Sequence, residues 1–358
     1  MKRRILLLED LASQRATVRE ALEDALQGNG EVKEFSPGAS GVREGTHEAT
    51  LIQDIRAAPN SPVDMIVADR DLSGYADMYR GLSEDTVRHV AEILGLPHCG
   101  YARGDRPDDP EFVQHGDERE ACIRLSLHQG LEKFAARVVA IADGFVSIAA
   151  GLEDHEAKGN FAPGKVLAAI LGKPEYADKI SLYASGDRNR LAAARRLAGA
   201  SPSEQIQRTT CLLGYWLWDS VLRFPGVTVG EIPASSYLNI RQDVFIGDEN
   251  VRGLFARAIY EGPFAAAKVP MWWRGALDDL VAESGCEDGR AMVSRALKTE
   301  IPQSECCEDP KKPAGYYCML SERPVSLENS VGGLSWFPRG ADLARISRSK
   351  LEELGPWL

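Results

Sequence analysis

Acidic residues stand directly after two short apolar runs of this sequence. Glu9 and Asp10 follow the run ILLL, and Asp69 ends the run MIVAD, with Asp71 close behind it. If both runs are parallel strands of one sheet, their carboxyl ends meet at the edge where open α/β sheets bind ligands. Three close carboxylates repel one another unless a cation lies between them. The alternative is that these are solvated turn and helix-cap residues, which are often acidic.

The N-terminal part of the chain alternates between strand-like and helix-like segments, which would position these carboxylates. Short apolar runs predict strands in the segments ILLL, EVKEF, PVDMIVADRDL, LPHCGYARGD and ACIRLSL. Helical spacing of apolar residues predicts helices in residues 13–27, EATLIQDIRAA, TVRHVAEILG and residues 130–153, with Ser13 as the first N-cap. This alternation predicts a domain over residues 1–153 with a parallel sheet and helices on both faces.

The remainder, residues 154–358, predicts a second and mainly α-helical domain. Its helix-like segments are GKVLAAILG, NRLAAARRLAG, SEQIQRTTCLLGYWLWDSVLRF, VRGLFARAIYEG and WWRGALDDLVAESG, separated by Pro and Gly. The stretch 286–340 is rich in Cys, Pro and Gly and predicts loops with short strands, and LARISRSKLEEL predicts a closing helix.

The N-terminal features resemble the receiver domain of bacterial two-component response regulators. The resemblance covers residues 1–150, and it rests on the acidic pair Glu9 and Asp10, the segment DMIVADRDLSG, and the alternation of strands and helices. It implies a flavodoxin-like, doubly wound parallel sheet of about five strands. The resemblance does not extend to the C-terminal half.

The resemblance also implies a role for each acidic residue. Asp69 matches the phosphoryl-accepting aspartate, followed by a small turn that is SG in this sequence. Glu9, Asp10 and Asp69 would hold Mg²⁺, and the main-chain carbonyl of Asp71 would face the same ion. Oxygen ligands suit Mg²⁺, which neutralises charge on the oxygens when a carboxylate is phosphorylated in line. The expected phosphoryl donor is a histidine kinase or a phosphorelay protein.

Two positions depart from the receiver pattern. Receivers place Ser or Thr at the end of strand four and Lys at the end of strand five. This sequence has Ala102 at the first place and no Lys in ACIRLSLHQG at the second, so Arg103 or Arg124 would have to supply the positive charge. Loss of both partners weakens stabilisation of the phosphoryl group and its coupling to conformational change. A pseudo-receiver is therefore the alternative.

Four of the seven cysteines lie within one C-terminal segment. Cys286, Cys306, Cys307 and Cys318 could hold a structural Zn²⁺, because thiolates suit tetrahedral zinc. However, the sequence contains no CxxC pair, and adjacent cysteines do not easily ligate one ion. Reduced, partly buried thiols are the preferred interpretation.

The composition narrows the classes of partner. The net charge is -11, which disfavours binding to nucleic acid. No uninterrupted apolar stretch approaches the roughly 20 residues of a membrane-spanning helix. The segment MKRRILLLEDLASQ has too short an apolar core for a signal peptide. We expect a cytoplasmic protein that does not enter a membrane.

Three functional hypotheses remain open at this point. In the first, the chain is a response-regulator-like signalling protein in which phosphorylation of Asp69 with Mg²⁺ switches the contacts of the helical C-terminal domain. In the second, a pseudo-receiver serves protein interaction and dimerisation without phosphorylation. The third places an unrecognised enzyme activity in residues 155–358, where no motif supports it. We expect a regulatory homodimer more than an enzyme.

Overall fold

The computed structural model describes residues 3–36, 46–57, 59–75, 79–102, 123–156, 162–184 and 201–355. These residues form two compact units. The first unit holds the described residues up to 156 together with 201–215, and the second holds 162–184 and 216–355.

The first unit is built on a five-stranded parallel sheet with the strand order β2-β1-β3-β4-β5. The strands are β1 (Arg3–Leu8), β2 (Gly30–Glu34), β3 (Met65–Asp69), β4 (His98–Ala102) and β5 (Arg124–Ser126). Each strand overlaps a segment that its apolar run predicts to be a strand, and β1 and β2 begin two residues and one residue before those segments. The predicted α/β alternation with a parallel sheet is therefore confirmed.

Helices connect and flank these strands. They are α1 (Ala12–Leu26), α2 (His47–Arg56), α3 (Glu84–Leu94) and α4 (Leu131–Glu156). α1 packs against α4, and α2 packs against α3.

Burial on both faces explains why β1 is continuously apolar from Ile5 to Leu8. Leu6 and Leu8 share a core cluster with Ile66 of β3 and with residues of α2 and α3. Ile5 and Leu7 point to the opposite face, because side chains alternate along a strand, and both are at most 1% exposed. This doubly covered part of the strand has no polar position before its end, and the first carboxylate therefore follows at Glu9.

The second unit combines short helices with two small sheets. Its helices are α5 (Pro163–Ile170), α6 (Ala177–Ser181), α8 (Glu231–Tyr237), α9 (Gln242–Gly247), α10 (Glu249–Gly253), α11 (Arg274–Ser284), α12 (Gly289–Leu297) and α13 (Arg348–Leu354). The intervening helix α7 (Pro202–Trp216) belongs to the first unit as far as residue 215 and continues into a π-helical turn at Leu217–Val221. Strands β6 (Thr228–Gly230) and β7 (Met271–Trp273) form an antiparallel pair. Strands β8 (Tyr316–Cys318), β9 (Arg323–Val325), β10 (Ser330–Gly332) and β11 (Ala344–Ser347) form a sheet in the order β10-β11-β8-β9.

Three predicted C-terminal helices are shorter than expected. The segment WWRGALDDLVAESG begins as strand β7, and its helix starts only at Arg274. Likewise LARISRSKLEEL is strand β11 before it becomes α13, and VRGLFARAIYEG is helical only to Gly253 before a 3₁₀ turn. Short apolar runs fit a strand and a helix equally well, and a pairing strand that is distant in sequence decides between them. The predicted helix NRLAAARRLAG lies outside the described residues.

One described helix, Leu131–Asp154 within α4, is long and apolar enough to cross a membrane by length and composition alone. In its most apolar window, 44% of the residues are buried inside the protein. Phe134 and Ile141 of this helix are at most 1% exposed. A core helix of a folded domain passes the same test, so the cytoplasmic location stays a prediction.

Candidate metal-binding acidic site

The parallel register of β1 and β3 brings the predicted carboxylates together. Leu8 pairs with Ala68 at the carboxyl ends of the two strands, so the next residues, Glu9 and Asp69, leave the sheet side by side. Asp10 follows at the start of the turn into α1. One ligand oxygen from each of Glu9, Asp10 and Asp69 lies within 4.8 Å of the others. We call these three residues the acidic cluster.

The acidic cluster is largely withdrawn from solvent. Glu9 is 0% exposed and Asp69 is 5% exposed, whereas Asp10 is half-buried. Ionised carboxylates are costly to bury unless hydrogen bonds or cations compensate their charge. The donors that surround this cluster therefore decide what the site can hold.

Both carboxylate oxygens of Glu9 accept hydrogen bonds from the protein. The main-chain N–H of Leu11 donates to Oε1 at 3.1 Å, and the hydroxyl of Tyr101 donates to Oε2 at 2.7 Å. Leu11 is the N-cap residue of α1, and the predicted cap Ser13 lies inside the helix instead. Tyr101 reaches Glu9 because the register of β3 and β4 pairs Tyr101 with Asp69. These two donors fix the orientation of the Glu9 carboxylate.

The main-chain carbonyl of Glu9 is held as well. Arg15 Nη1 donates to this oxygen at 3.0 Å, and the Tyr75 hydroxyl approaches it at 3.4 Å. Burial raises the pKa of Tyr75 to about 12, so this hydroxyl keeps its proton at neutral pH. The loop after β1 is thereby tied to α1 and to the loop after β3.

The turn after β3 holds Asp10 in place. The main-chain N–H of Gly74 donates a hydrogen bond to Asp10 Oδ2. A Cβ atom at position 74 would lie 2.5 Å from the same oxygen, so a side chain at this position would force the Asp10 carboxylate or the turn to shift. Asp71 shapes the turn because its Oδ1 accepts the main-chain N–H of Ser73 at 3.1 Å. The assignment of the Asp71 carbonyl as a metal ligand stays a prediction.

A pocket of about 370 Å³ opens over the acidic cluster. Its lining is drawn from the ends of β1, β3 and β4 and from the turn after β3: Asp10, Leu11, Asp69, Arg70, Asp71, Ser73, Gly74 and Ala102. The pocket therefore joins the predicted carboxylates to an arginine, Arg70, that the sequence analysis did not single out.

The structure also shows what lies at the two positions that depart from the receiver pattern. Ala102 ends β4 and lines the pocket, and its register partner on β5 is Ser126, the last residue of that strand. Arg124 lies two positions earlier, where its guanidinium pairs with Glu84 at 3.3 Å. Arg103 lies outside the described residues.

Arg124 has a structural role in that ion pair. Glu84 is only 4% exposed at the start of α3, and Gly100 allows its carboxylate to pack directly against β4. Arg124 also lies 3.8 Å from Asp85. A buried carboxylate that loses its partner is strongly destabilising, so the pair holds Arg124 against α3.

Two features of the site were missed by sequence reasoning. Tyr101 reads as a buried strand residue, and only the strand register shows that its hydroxyl reaches Glu9. Arg70 reads as a solvated turn residue, and only the pocket shows that it lies beside the carboxylates. The signal available for both was their position at the end of a strand that neighbours an acidic strand end.

The four cysteines considered as zinc ligands do not form a comparable cluster. Among the described residues, the group of three or more candidate ligands with ligand atoms within 4.8 Å is the acidic cluster, which contains no cysteine. The described cysteines carry free thiols, and they are Cys99, Cys211, Cys286, Cys306, Cys307 and Cys318. Zinc binding stays a prediction that this geometry does not support.

Cys306 is nevertheless embedded in hydrogen-bond donors. Its sulfur accepts the main-chain N–H of Ser326 at 3.4 Å and the side-chain amide of Asn329 at 3.6 Å. Burial raises the pKa of the thiol, but these donors and the N–H groups of Glu308 and Asp309 lower it further, so the pKa lies below its usual value. The thiol therefore completes a network of polar groups in the loops before β8 and after β9.

Comparison of the chain with protein-family models, with curated proteins and with solved structures finds no match in any of the three.

Proposed function

We propose that the N-terminal unit is a receiver-like phosphoryl acceptor, in which Asp69 takes the phosphoryl group beside a Mg²⁺ ion. The observation that carries this proposal is the acidic cluster, with its ligand oxygens within 4.8 Å of one another at the carboxyl edge of the parallel sheet. The strand order β2-β1-β3-β4-β5 supports it, because flavodoxin-like folds with this order bind ligands at the same edge.

The donor set suits Mg²⁺. Carboxylate oxygens are the ligands this ion prefers, and it keeps several waters when one or two carboxylates hold it, for which the open pocket leaves room. Asp10 and Asp69 face the pocket and would bind the ion directly. Glu9 is fully buried behind them, with both oxygens already hydrogen-bonded, and contributes its charge.

The transfer step needs no base from the protein. A carboxylate oxygen of Asp69 attacks the phosphorus of the donor, a P–O bond to Asp69 forms, and the bond to the leaving group breaks in line. With acetyl phosphate, acetate leaves with the electron pair. With a phosphohistidine donor, the P–N bond breaks and the leaving imidazole takes a proton from solvent. A bound Mg²⁺ would neutralise charge on the phosphoryl oxygens.

The partners follow from this chemistry. The donor is a histidine kinase or a phosphorelay protein, and the product is a charged group at the rim of the pocket. A phosphoryl group adds about two negative charges at neutral pH. This change alters which surfaces the unit can contact, and it would switch its association with the helical second unit or with a second copy of the chain.

A second candidate is a pseudo-receiver that docks other proteins without being phosphorylated. Ala102 and Ser126 favour it, because neither strand end that flanks the pocket supplies the hydroxyl at β4 or the lysine at β5 found in receivers. The acidic cluster would then hold a cation, or remain as a charged surface, without reacting. The enzymatic hypothesis for residues 155–358 stays a hypothesis.

The test is intact mass spectrometry after incubation with acetyl phosphate and Mg²⁺. We expect one acid-stable, base-labile phosphoryl adduct on the wild type and none on Asp69→Asn or without Mg²⁺. Asp71→Asn is the matched control, because it makes the same change in charge two residues away while asparagine still forms the turn to Ser73. A wild type that forms no adduct, although Mg²⁺ binds, would overturn phosphoryl transfer and leave the pseudo-receiver.

A further inference from the structure

Arg70 is the basic residue that lines the pocket over the acidic cluster. It directly follows Asp69, and its main-chain N–H donates to the carbonyl of Tyr101 at 2.8 Å, which fixes the backbone beside β4. The residue is exposed. Within the part of the chain that the structure describes, its guanidinium makes no ion pair and no hydrogen bond.

Arg70 lines the same pocket as several carboxylates, yet among the described residues its guanidinium forms no ion pair with any of them. Asp10, Asp69 and Asp71 line the same pocket, and Glu9 lies beneath it. Glu9, Asp10 and Asp71 accept hydrogen bonds from other groups, and Asp69 belongs to the acidic cluster. Arg70 thus keeps its full hydrogen-bonding capacity for a ligand that enters the pocket.

The net charge of the site determines how strongly it repels an anionic ligand. Four carboxylates offset by one divalent cation and one guanidinium still leave a net negative charge. A phosphoryl dianion is repelled by such a site unless a cation contacts its oxygens directly. The planar fork of an arginine binds two oxygens of a phosphoryl group at once, with hydrogen bonds strengthened by charge.

Other described groups near the strand ends do not fill this role. Arg124 is held by the buried carboxylate of Glu84, and releasing it would leave that charge without its partner. Ala102 has no side-chain donor, and Ser126, whose Oγ accepts the main-chain N–H of His128 at 3.1 Å, carries no positive charge. Among the residues that the structure describes, Arg70 combines a position in the pocket wall with a guanidinium that makes no hydrogen bond and no ion pair.

We infer that Arg70 contacts the phosphoryl oxygens during transfer and thereby supplies the positive charge that β5 lacks. This inference rests on the phosphoryl transfer proposed above. It predicts opposite effects of Arg70 on two ligands of the same site. Removing its charge weakens binding of the anionic donor, whereas binding of Mg²⁺ alone is unchanged or strengthened, since a like charge near the ion is lost.

The experiment compares wild type, Arg70→Gln, Arg70→Lys and Arg80→Gln. Arg80 is an exposed arginine that follows the same turn and does not line the pocket, so Arg80→Gln is the matched control for charge and size. Mg²⁺ affinity is measured by calorimetric titration without donor. The rate of adduct formation is measured by intact mass across a series of acetyl phosphate concentrations, which separates the limiting rate from the half-saturating concentration.

For Arg70→Gln we expect the rate at low acetyl phosphate to fall by about 10- to 100-fold, the loss of one hydrogen-bonding charged group, while Mg²⁺ binds at least as tightly as in wild type. Arg70→Lys restores part of the rate, and Arg80→Gln matches wild type in both measurements. Equal rates for Arg70→Gln and Arg80→Gln would overturn the role of Arg70 and leave phosphoryl transfer standing. A wild type without any adduct would overturn both, so the two failures are distinguishable.

Discussion

The hydroxyl of Tyr101 donates a hydrogen bond of 2.7 Å to Oε2 of Glu9, and both residues are at most 1% exposed. This bond crosses the sheet from β4 to the end of β1 and passes behind Asp69 on β3. The ring of Tyr101 also packs edge-on against Phe134 of α4, with ring centroids 5.2 Å apart. The carboxyl edge of the sheet is thus linked to α4 through one side chain.

Tyr101→Phe should destabilise the protein, and the size of the effect measures the strength of the hydrogen bond from Tyr101 to Glu9. Loss of a hydrogen bond to a buried carboxylate lowers the free energy of unfolding by about 1.5 to 3 kcal/mol. Urea denaturation without Mg²⁺ measures this change. The control Tyr75→Phe removes a hydroxyl that approaches only the main-chain oxygen of Glu9, at 3.4 Å, and should cost less. A Tyr101→Phe protein as stable as wild type would show that the Glu9 carboxylate does not depend on this donor.

Gly74→Ala should weaken cation binding. The added Cβ atom would lie 2.5 Å from Asp10 Oδ2, so either the carboxylate or the turn after β3 must move. Displacement of Asp10, one of the proposed ligands, should lower Mg²⁺ affinity by at least about tenfold, or about 1.4 kcal/mol. Calorimetric titration measures the affinity, and Gly253→Ala, where a Cβ meets no atom within 4 Å, is the control. Equal affinities for the two variants would mean that Asp10 is not a ligand.

Mg²⁺ should stabilise the wild type against urea in proportion to its binding. A ligand that binds only the folded state adds about 2.7 kcal/mol at one hundred times its dissociation constant. Asp10→Asn should lose most of this gain, yet be no less stable than wild type without Mg²⁺, because one of three repelling charges is removed. Asp24→Asn, which neutralises an exposed aspartate on α1, should keep the full gain. If Mg²⁺ stabilises Asp10→Asn as much as wild type, the ion binds elsewhere.

His98 should make the protein less stable in acid. The side chain is 1% exposed, and its ring nitrogens have no hydrogen-bond partner among the described residues. Burial, together with the smaller effects of the Arg88 and Arg124 charges, lowers the pKa of His98 from 6.5 to about 3, against a weaker opposing effect of Asp85. Below pH 6.5, His98 therefore binds a proton in the unfolded chain but stays neutral in the folded protein.

The sign follows directly from this difference. Above pH 6.5, His98 has no effect on the pH dependence of the free energy of unfolding. As the pH falls from 6.5 toward 3, burial of the neutral ring lowers the free energy of unfolding by about 1.4 kcal/mol per pH unit. Urea denaturation of wild type and His98→Leu at several pH values between 7 and 5 gives the slope for each. His98→Leu should lose this part of the slope, whereas His89→Gln, at an exposed position on α3, should retain it. Parallel slopes for wild type and His98→Leu would contradict the buried, neutral state of the ring.

Cys306→Ala should destabilise the second unit. The substitution leaves the N–H of Ser326 and the amide of Asn329 without their sulfur acceptor, at about 1 to 3 kcal/mol for each buried group. Thermal unfolding followed by circular dichroism measures the loss. Cys286→Ala is the control, because Cys286 is only half-buried and its sulfur donates a single long hydrogen bond. If both variants unfold at the wild-type temperature, the donors around Cys306 do not contribute to stability.

Much of the first unit could be predicted from local patterns. The runs ILLL and MIVA are continuously apolar because strands buried on both faces have no solvent side, and the intervening helices carry regular apolar spacing. The elements of the C-terminal half are less predictable from local patterns. The residues MWW form β7 because Thr228–Gly230 lies antiparallel to them, and no local pattern reveals a partner more than 40 residues away.

The sequence by itself determined that Glu9, Asp10 and Asp69 would meet, because parallel neighbouring strands must end at one edge of a sheet. Only the tertiary structure decided how those carboxylates are held. The hydroxyl of Tyr101 and the N–H of Gly74 reach the site through strand register and turn geometry, and the same turn places Arg70 in the wall of the pocket. Such contacts join residues dozens of positions apart, and their geometry is set by the packing of the whole unit, whereas local periodicity reflects only which face of each element is buried.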